Sequence, residues 1–95
     1  MSYTVKYMPN AADDLWGIAE YIARDNPKRA LSFVDELENK TSETLKIAPK
    51  AGPIYKGRTR YFPVGRYVVL YEVNERKKLV EVLHIVAAAT DWKKA

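Results

Sequence analysis

The sequence contains no cysteine, a single histidine and no long apolar run. Without cysteine the chain has no disulfide, no thiolate nucleophile and no cysteine-based zinc or iron–sulfur site. Its longest uninterrupted apolar runs, residues 67–71 and 85–89, have five residues each, whereas a helix needs about 20 to span a bilayer. The N-terminus shows no basic segment followed by an apolar one, so no secretory signal is visible. We therefore expect a soluble cytoplasmic protein without a metal or another cofactor.

The 95 residues suffice for a single domain, and we assign residues 1–95 to it. Apolar residues make up 47% and charged residues 29%, which is ordinary globular usage and argues against disorder. The net charge of +4 comes from the second half: residues 1–48 carry 6 basic and 8 acidic side chains, whereas residues 49–95 carry 10 and 4. The basic segment 50–66 suits a phosphate or an acidic partner, and a solvated loop and edge strand would explain it equally well.

A short strand and two helices are predicted in the first half. Residues 3–7 alternate between apolar and polar side chains, which is typical of a strand with one buried face. Asn10 is the expected N-cap of a helix over residues 11–24. Asn26, followed by proline, ends that helix and caps a second one over residues 27–48, whose apolar residues recur at helical spacing. These two helices are expected to form a hairpin.

The second half predicts a sheet. Three segments rich in Val, Leu, Ile and Tyr are separated by short turns, which indicates an antiparallel meander of residues 59–64, 66–73 and 78–87. Together with the first half, this predicts a two-layer α+β domain of order β-α-α-β-β-β, with the helical hairpin packed on a mainly antiparallel sheet. Both faces of the middle strand are largely apolar: Val68 and Leu70 lie on one face, and Tyr67 and Val69 lie on the other. Because two helices cover only one face, we expect the other face to be exposed and to bind a partner.

Three segments carry a likeness to a known family. Residues 14–30 look like the helical opening of ParE toxins, residues 45–52 like the exit from their second helix, and residues 60–71 like their strand-turn-strand. The order of strand, helical hairpin, basic loop and meander resembles the layout of the RelE/ParE superfamily over nearly the whole chain. The resemblance implies the toxin of a type II toxin–antitoxin module.

The residues near the C-terminus indicate the subtype within that superfamily. Ribosome-dependent RelE-like nucleases have an arginine directly after the tyrosine that Tyr67 resembles, and this chain has Val68 there. The histidine and the arginine of a common C-terminal pattern are replaced by Ala87 and Thr90, and His84 lies three residues before the histidine position. RNA cleavage requires groups that accept and donate protons, and cations that hold the phosphate. The resemblance therefore implies a non-catalytic, ParE-like toxin.

For such a toxin, the resemblance implies inhibition of DNA gyrase, neutralisation by a cognate antitoxin in a hetero-oligomer, and a role in plasmid stabilisation. The candidates for binding the target are Lys56, Arg58, Arg60, Arg66 and Trp92. The candidates for binding the antitoxin are Trp16, Val68, Leu70 and Ile85. Contact with nucleic acid through residues 50–66 is a further expectation.

A RelE-like mRNA endoribonuclease is the alternative, with Arg60, Arg66, Tyr67 and His84 as a substitute catalytic set. A strand period of two would place His84 on one face with two valines, Val82 and Val86, so a packed histidine is the competing interpretation. Trp92 either folds back over the sheet or forms part of a recognition surface.

Overall fold

The computed structural model describes residues 2–94, in which two helices pack on a five-stranded sheet. In chain order the elements are β1 (Thr4–Tyr7), α1 (Pro9–Ala23), α2 (Pro27–Ile47), β2 (Ile54–Lys56), β3 (Thr59–Val64), β4 (Tyr67–Asn74), β5 (Leu79–Ala87) and a 3-10 turn (Trp92–Lys94). The sheet order is β1-β5-β4-β3-β2, with β1 parallel to β5 and the other pairs antiparallel. The predicted α+β class, the helical hairpin and the mainly antiparallel sheet are confirmed.

The start of α1 differs from the prediction and the start of α2 agrees with it. α1 begins at Pro9, because a proline at the first helical position loses an N–H that has no partner within the helix. Met8 is therefore the N-cap, and the assignment of that role to Asn10 is wrong. In α2, the Asn26 side chain accepts a hydrogen bond from the Arg29 backbone N–H at 3.1 Å, as expected of an N-cap.

The helices cover one face of the sheet and form the main core with it. The fully buried or nearly buried residues of this core are Ala11, Leu15, Ile18, Leu37, Leu45, Val64, Val69, Tyr71, Val80, Val82 and Ile85. The Tyr7 hydroxyl ties β1 to α2, because it donates to the Glu38 carbonyl at 3.0 Å and lies 2.9 Å from the Ser42 hydroxyl. Burial raises the pKa of Tyr7, although the Ser42 hydrogen bond acts in the opposite direction.

A short strand that the sequence did not predict lies at the edge of the sheet. β2 occupies part of the segment expected to be a basic loop, and it pairs with β3 through Ile54 opposite Arg60 and Lys56 opposite Thr59. Three residues between a proline and a glycine are too few for a clear period of two. Gly57, with φ of +57°, makes the turn into β3.

A bulge in β5 changes the face on which its histidine lies. Leu70 pairs with His84 and Tyr71 pairs with Val82, so β5 has one extra residue, Leu83, at this point. Val82 therefore joins the helix-covered core, whereas His84 lies on the opposite face. The expectation that these two residues share a face is wrong, because the bulge interrupts the alternation.

The second face of the sheet is covered, contrary to expectation. Val68 and Leu70 on this face are only 3% and 7% exposed. The C-terminal turn places Trp92 against it, with ring centroids 5.3 Å from Tyr55 and 5.1 Å from Tyr61. The prediction of an exposed apolar face is therefore wrong for an isolated chain.

Ile85, the other strand residue predicted to bind the antitoxin, is also buried, with 4% of its surface exposed, but in the helix-covered core. Little of the Ile85 surface is thus open to an antitoxin, and Val68 and Leu70 could be touched only after the covering groups move.

Candidate functional site

A concave space of about 890 Å³, which we name the α1 groove, lies between α1, the turn from β3 to β4, and the end of β5. Its lining residues are Asp13, Asp14, Gly17, Ile18, Tyr21, Gly65, Arg66, Tyr67, Ile85, Ala87, Ala88 and Ala89. Small residues make this space: a Cβ added at Gly17 or Gly65 would meet nothing within 4 Å. Gly65 also has φ of +60°, which lets the chain turn tightly between the two strands.

Asp14 caps the open edge of β5 inside this groove. β1 ends at Tyr7, opposite Val82, so β5 continues beyond its parallel neighbour. The Asp14 carboxylate accepts a hydrogen bond from the Ile85 backbone N–H at 2.9 Å and lies 3.2 Å from Nδ1 of His84. A side chain thus replaces a strand at this edge, and apolar surface lies beside it.

A second cavity, which we name the basic cleft, lies at the opposite end of the sheet. It has a volume of about 440 Å³ and is lined by Lys50, Ile54, Gly57, Arg58, Arg60, Val73, Asn74, Glu75 and Arg76. Lys50 forms an ion pair with Glu75, and this hydrogen bond lowers the pKa of the Glu75 carboxyl.

The guanidinium of Arg60 is fixed in the basic cleft by the backbone. Its Nη1 donates to the Gly52 carbonyl at 2.8 Å, and the Gly52 N–H donates to the Tyr71 hydroxyl at 2.9 Å. Gly52 is required here, because a Cβ would come within 2.0 Å of the Tyr61 carbonyl oxygen. Burial raises the pKa of Tyr71, so this phenol stays a neutral hydrogen-bonding group.

The four residues of the alternative catalytic set line three different cavities. Arg66 and Tyr67 line the α1 groove, and Arg60 lines the basic cleft. His84 lines a third space of about 410 Å³ on the second face, together with Leu70 and Trp92, while its Nδ1 lies 3.2 Å from Asp14 of the α1 groove. Arg60 therefore does not share one phosphodiester site with Arg66 and Tyr67, and Arg66 is separated from the other basic residues of segment 50–66.

The remaining predicted residues are distributed over the surface. Trp16 on α1 is 70% exposed, so it is available to a partner. Lys56 lies on β2, and Arg58 lies in the turn that follows it. Trp92 is half-buried against the second face, as the first of its two predicted alternatives requires.

Two classes of site have no support in the part of the chain that the structure describes. No group of three or more His, Cys, Asp or Glu side chains among residues 2–94 could hold a metal ion. Neither of the two helices has the length and apolar character needed to cross a membrane.

The comparison with protein families decides the identity. The model of the ParE toxin of type II toxin–antitoxin systems, parDE, matches residues 5–92. The chain belongs to the ParE toxin family. It is the toxin of a type II toxin–antitoxin system, as the resemblance implied. No curated protein matches its sequence.

Solved structures show the same fold for this ParE-family chain. The chromosomal ParDE system of P. aeruginosa is similar with a TM-score of 0.78 and 19% identity, over 90% of this chain and 96% of that one. A free E. coli RelE mutant has a TM-score of 0.69 and 16% identity, over 99% and 92%. The RelBE2 toxin–antitoxin complex of Mycobacterium tuberculosis has a TM-score of 0.67 and 20% identity, over 92% and 99%. At these identities the similarity establishes the fold.

Sequence reasoning missed the α1 groove and the role of Asp14. The role of Asp14 could not be recognised, because its partner Ile85 is 71 residues away in the chain. A signal was nevertheless present: Gly17, Gly65 and the run Ala87–Ala89 are small residues at positions where larger ones would be expected to fill a helix–sheet seam.

Proposed function

We propose that this ParE-family toxin is a non-catalytic inhibitor of DNA gyrase, and that a cognate antitoxin neutralises it in a cytoplasmic hetero-oligomer. The observation that carries the proposal is the separation of Arg60 from Arg66 and Tyr67, which line cavities at opposite ends of the sheet. Cleavage of RNA needs a base, an acid and cations within hydrogen-bond reach of one phosphate. A toxin that only binds its target does not need such convergence.

The positions replaced relative to RelE-like nucleases support the same function. Val68 is buried on the second face and cannot supply charge to a substrate. Ala87 lines the α1 groove without a functional group, and the Thr90 hydroxyl donates to the Ala87 carbonyl at 2.7 Å. None of these three side chains is available to hold a phosphate or to transfer a proton.

The α1 groove is the surface that best suits an antitoxin segment. It combines apolar lining with the edge of β5 beyond β1, where the Asp14 side chain rather than a strand accepts the hydrogen bond of the Ile85 N–H, and Tyr21 and Trp16 on α1 are 67% and 70% exposed. A disordered segment that folds on contact can fill such a groove with apolar side chains and add hydrogen bonds at the edge. Solved structures similar to this chain include toxin–antitoxin complexes, among them the intact E. coli RelBE complex.

The target is tested with purified components. We expect the full chain to inhibit supercoiling by gyrase and to increase the amount of cleaved plasmid, while messages on programmed ribosomes stay intact. In cells, induction should cause filamentation and a DNA damage response with normal transcripts. Cleavage of messages on ribosomes, abolished by His84→Ala or Arg66→Ala, would instead establish the nuclease and end the proposal.

The antitoxin surface is tested with a substitution that fills the groove. Gly17→Phe should block neutralisation by the product of the adjacent open reading frame, because a Cβ at Gly17 points into empty space. We expect toxicity that co-expression no longer rescues, with a loss of affinity of at least about tenfold. Ala12→Phe is the matched control, since Ala12 is an exposed α1 residue outside the groove lining. Equal rescue of both variants would show that the antitoxin binds elsewhere.

A further inference from the structure

The excess positive charge of the protein is concentrated at one end of the sheet. Residues 50–60 and 72–78 contain seven of the 16 basic residues and two of the 12 acidic ones, a balance of plus five. The nine basic and ten acidic residues of the rest balance to minus one. The net charge of +4 therefore belongs to this end, which holds the basic cleft. A field of this kind attracts a polyanion.

The cleft is built from three separate chain segments that the fold brings together. Lys50 follows α2, Arg58 lies in the turn between β2 and β3, and Arg76 lies in the turn between β4 and β5. Arg60 is held among them by its bond to the Gly52 carbonyl. Glu75 is the one acidic residue of the lining, and Lys50 already pairs with it. The guanidinium groups of Arg58 and Arg76 remain for a ligand, and Arg60 adds a third whose Nη1 is bonded to Gly52.

We propose that the basic cleft binds the phosphodiester backbone of duplex DNA. Guanidinium groups match two phosphate oxygens at once, and the cleft presents three of them. Contacts of this kind depend on charge and backbone geometry, so the binding has no sequence preference.

The lining of the cleft favours a duplex over two other polyanionic partners. An acidic peptide would bury apolar side chains as well, and Ile54 and Val73 are the only large apolar residues that line this cavity. Single-stranded nucleic acid would stack its bases on aromatic rings, and none of the lining residues is aromatic. The choice of DNA rather than duplex RNA rests on the proposed action at gyrase.

The cleft and the α1 groove are at opposite ends of β4. Tyr67 lines the groove and Asn74 lines the cleft, which places about 24 Å of strand between them. DNA can therefore occupy the cleft while the groove is filled. A variant of the cleft should lose DNA binding and keep its affinity for the antitoxin.

The test measures fluorescence anisotropy of a labelled duplex of about 20 base pairs and arbitrary sequence with the full chain, free of antitoxin. Arg58→Gln with Arg76→Gln should lower the affinity at least about tenfold near 100 mM salt and reduce the slope of log affinity against log salt by about 2. Both residues are exposed in turns, and neither side chain forms a hydrogen bond, an ion pair or a ring contact within residues 2–94.

The matched control is Lys28→Gln with Lys40→Gln, which removes the same charge from exposed positions on α2. The control should keep both the affinity and the salt slope. Equal losses in the two double variants would overturn the proposal in favour of net charge alone. Tighter binding of single strands, duplex RNA or a polyglutamate peptide would also overturn it. If DNA binding is absent and gyrase is still inhibited, this inference fails and the proposed function stands.

Discussion

The two faces of the sheet are covered by very different amounts of structure. On one face, α1 and α2 bury side chains from β3, β4 and β5 in a continuous core. On the other face, a C-terminal turn places the Trp92 ring against Tyr55 and Tyr61, and the Lys93 ammonium lies 5.0 Å from the Tyr61 ring centre. Residues of both faces are buried, but the cover of the first face is two whole helices and that of the second is a short turn.

A buried residue can therefore still be reached by a partner if the structure that covers it is small. Val69 on the first face is fully buried beneath 36 helical residues, whereas Leu70 on the second lines a cavity that Trp92 closes. A partner could reach Leu70 by displacing three rings and a short turn. The helix-covered face offers no such route to Val69, whereas Ile85 keeps a small exposed fraction where it lines the α1 groove.

The largest expected effect lies on the helix-covered face. Leu45→Ala should lower the free energy of unfolding by about 3 kcal/mol, because Leu45 is fully buried and its truncation leaves a cavity. The measurement is urea-induced unfolding followed by circular dichroism.

Leu31→Ala is the matched control for this substitution. It makes the same chemical change in the same helix at a position that is 73% exposed, and it should change stability by less than about 0.5 kcal/mol. Similar losses of stability in the two variants would mean that α2 stabilises the protein through its helical propensity and that the core contact of Leu45 contributes little.

Most of the fold could be predicted from the sequence, since its signals are local. The apolar stripe of α2 and the Asn26 cap placed that helix within one residue of its observed end. The alternation along residues 59–73 likewise placed β3 and β4. β2 and the Leu83 bulge could not be predicted, because both depend on the partner strand and leave no period of their own.

Less of the candidate site could be predicted, because its residues meet only through the tertiary fold. Charge clustering in the sequence indicated a basic surface over residues 50–66. Arg66, however, lies in the β3–β4 turn, at the end of the sheet opposite the basic cleft. Arg76, from a different turn, takes a place in the basic cleft. Spacing along the chain cannot show which turns share an end of a sheet, whereas strand order shows it at once.

A smaller loss of stability is expected from a substitution on the second face. It tests whether the C-terminal turn contributes as little to stability as its few contacts indicate. Trp92→Ala should lower the free energy of unfolding by about 1.5 kcal/mol, because a half-buried ring loses two ring contacts and the end of the chain is easily released. It should also increase binding of a dye specific for apolar surface, since Leu70 and Val86 line the space beneath the ring.

Trp16→Ala is the matched control, because the same side chain is removed at a position on α1 that is 70% exposed. It should change neither stability nor dye binding appreciably. If Trp92→Ala lowers the free energy of unfolding as much as Leu45→Ala does, the C-terminal turn belongs to the core and the two faces do not differ. If Trp92→Ala leaves dye binding unchanged, the face closes without its tryptophan, and Leu70 is as inaccessible to a partner as Val69 is.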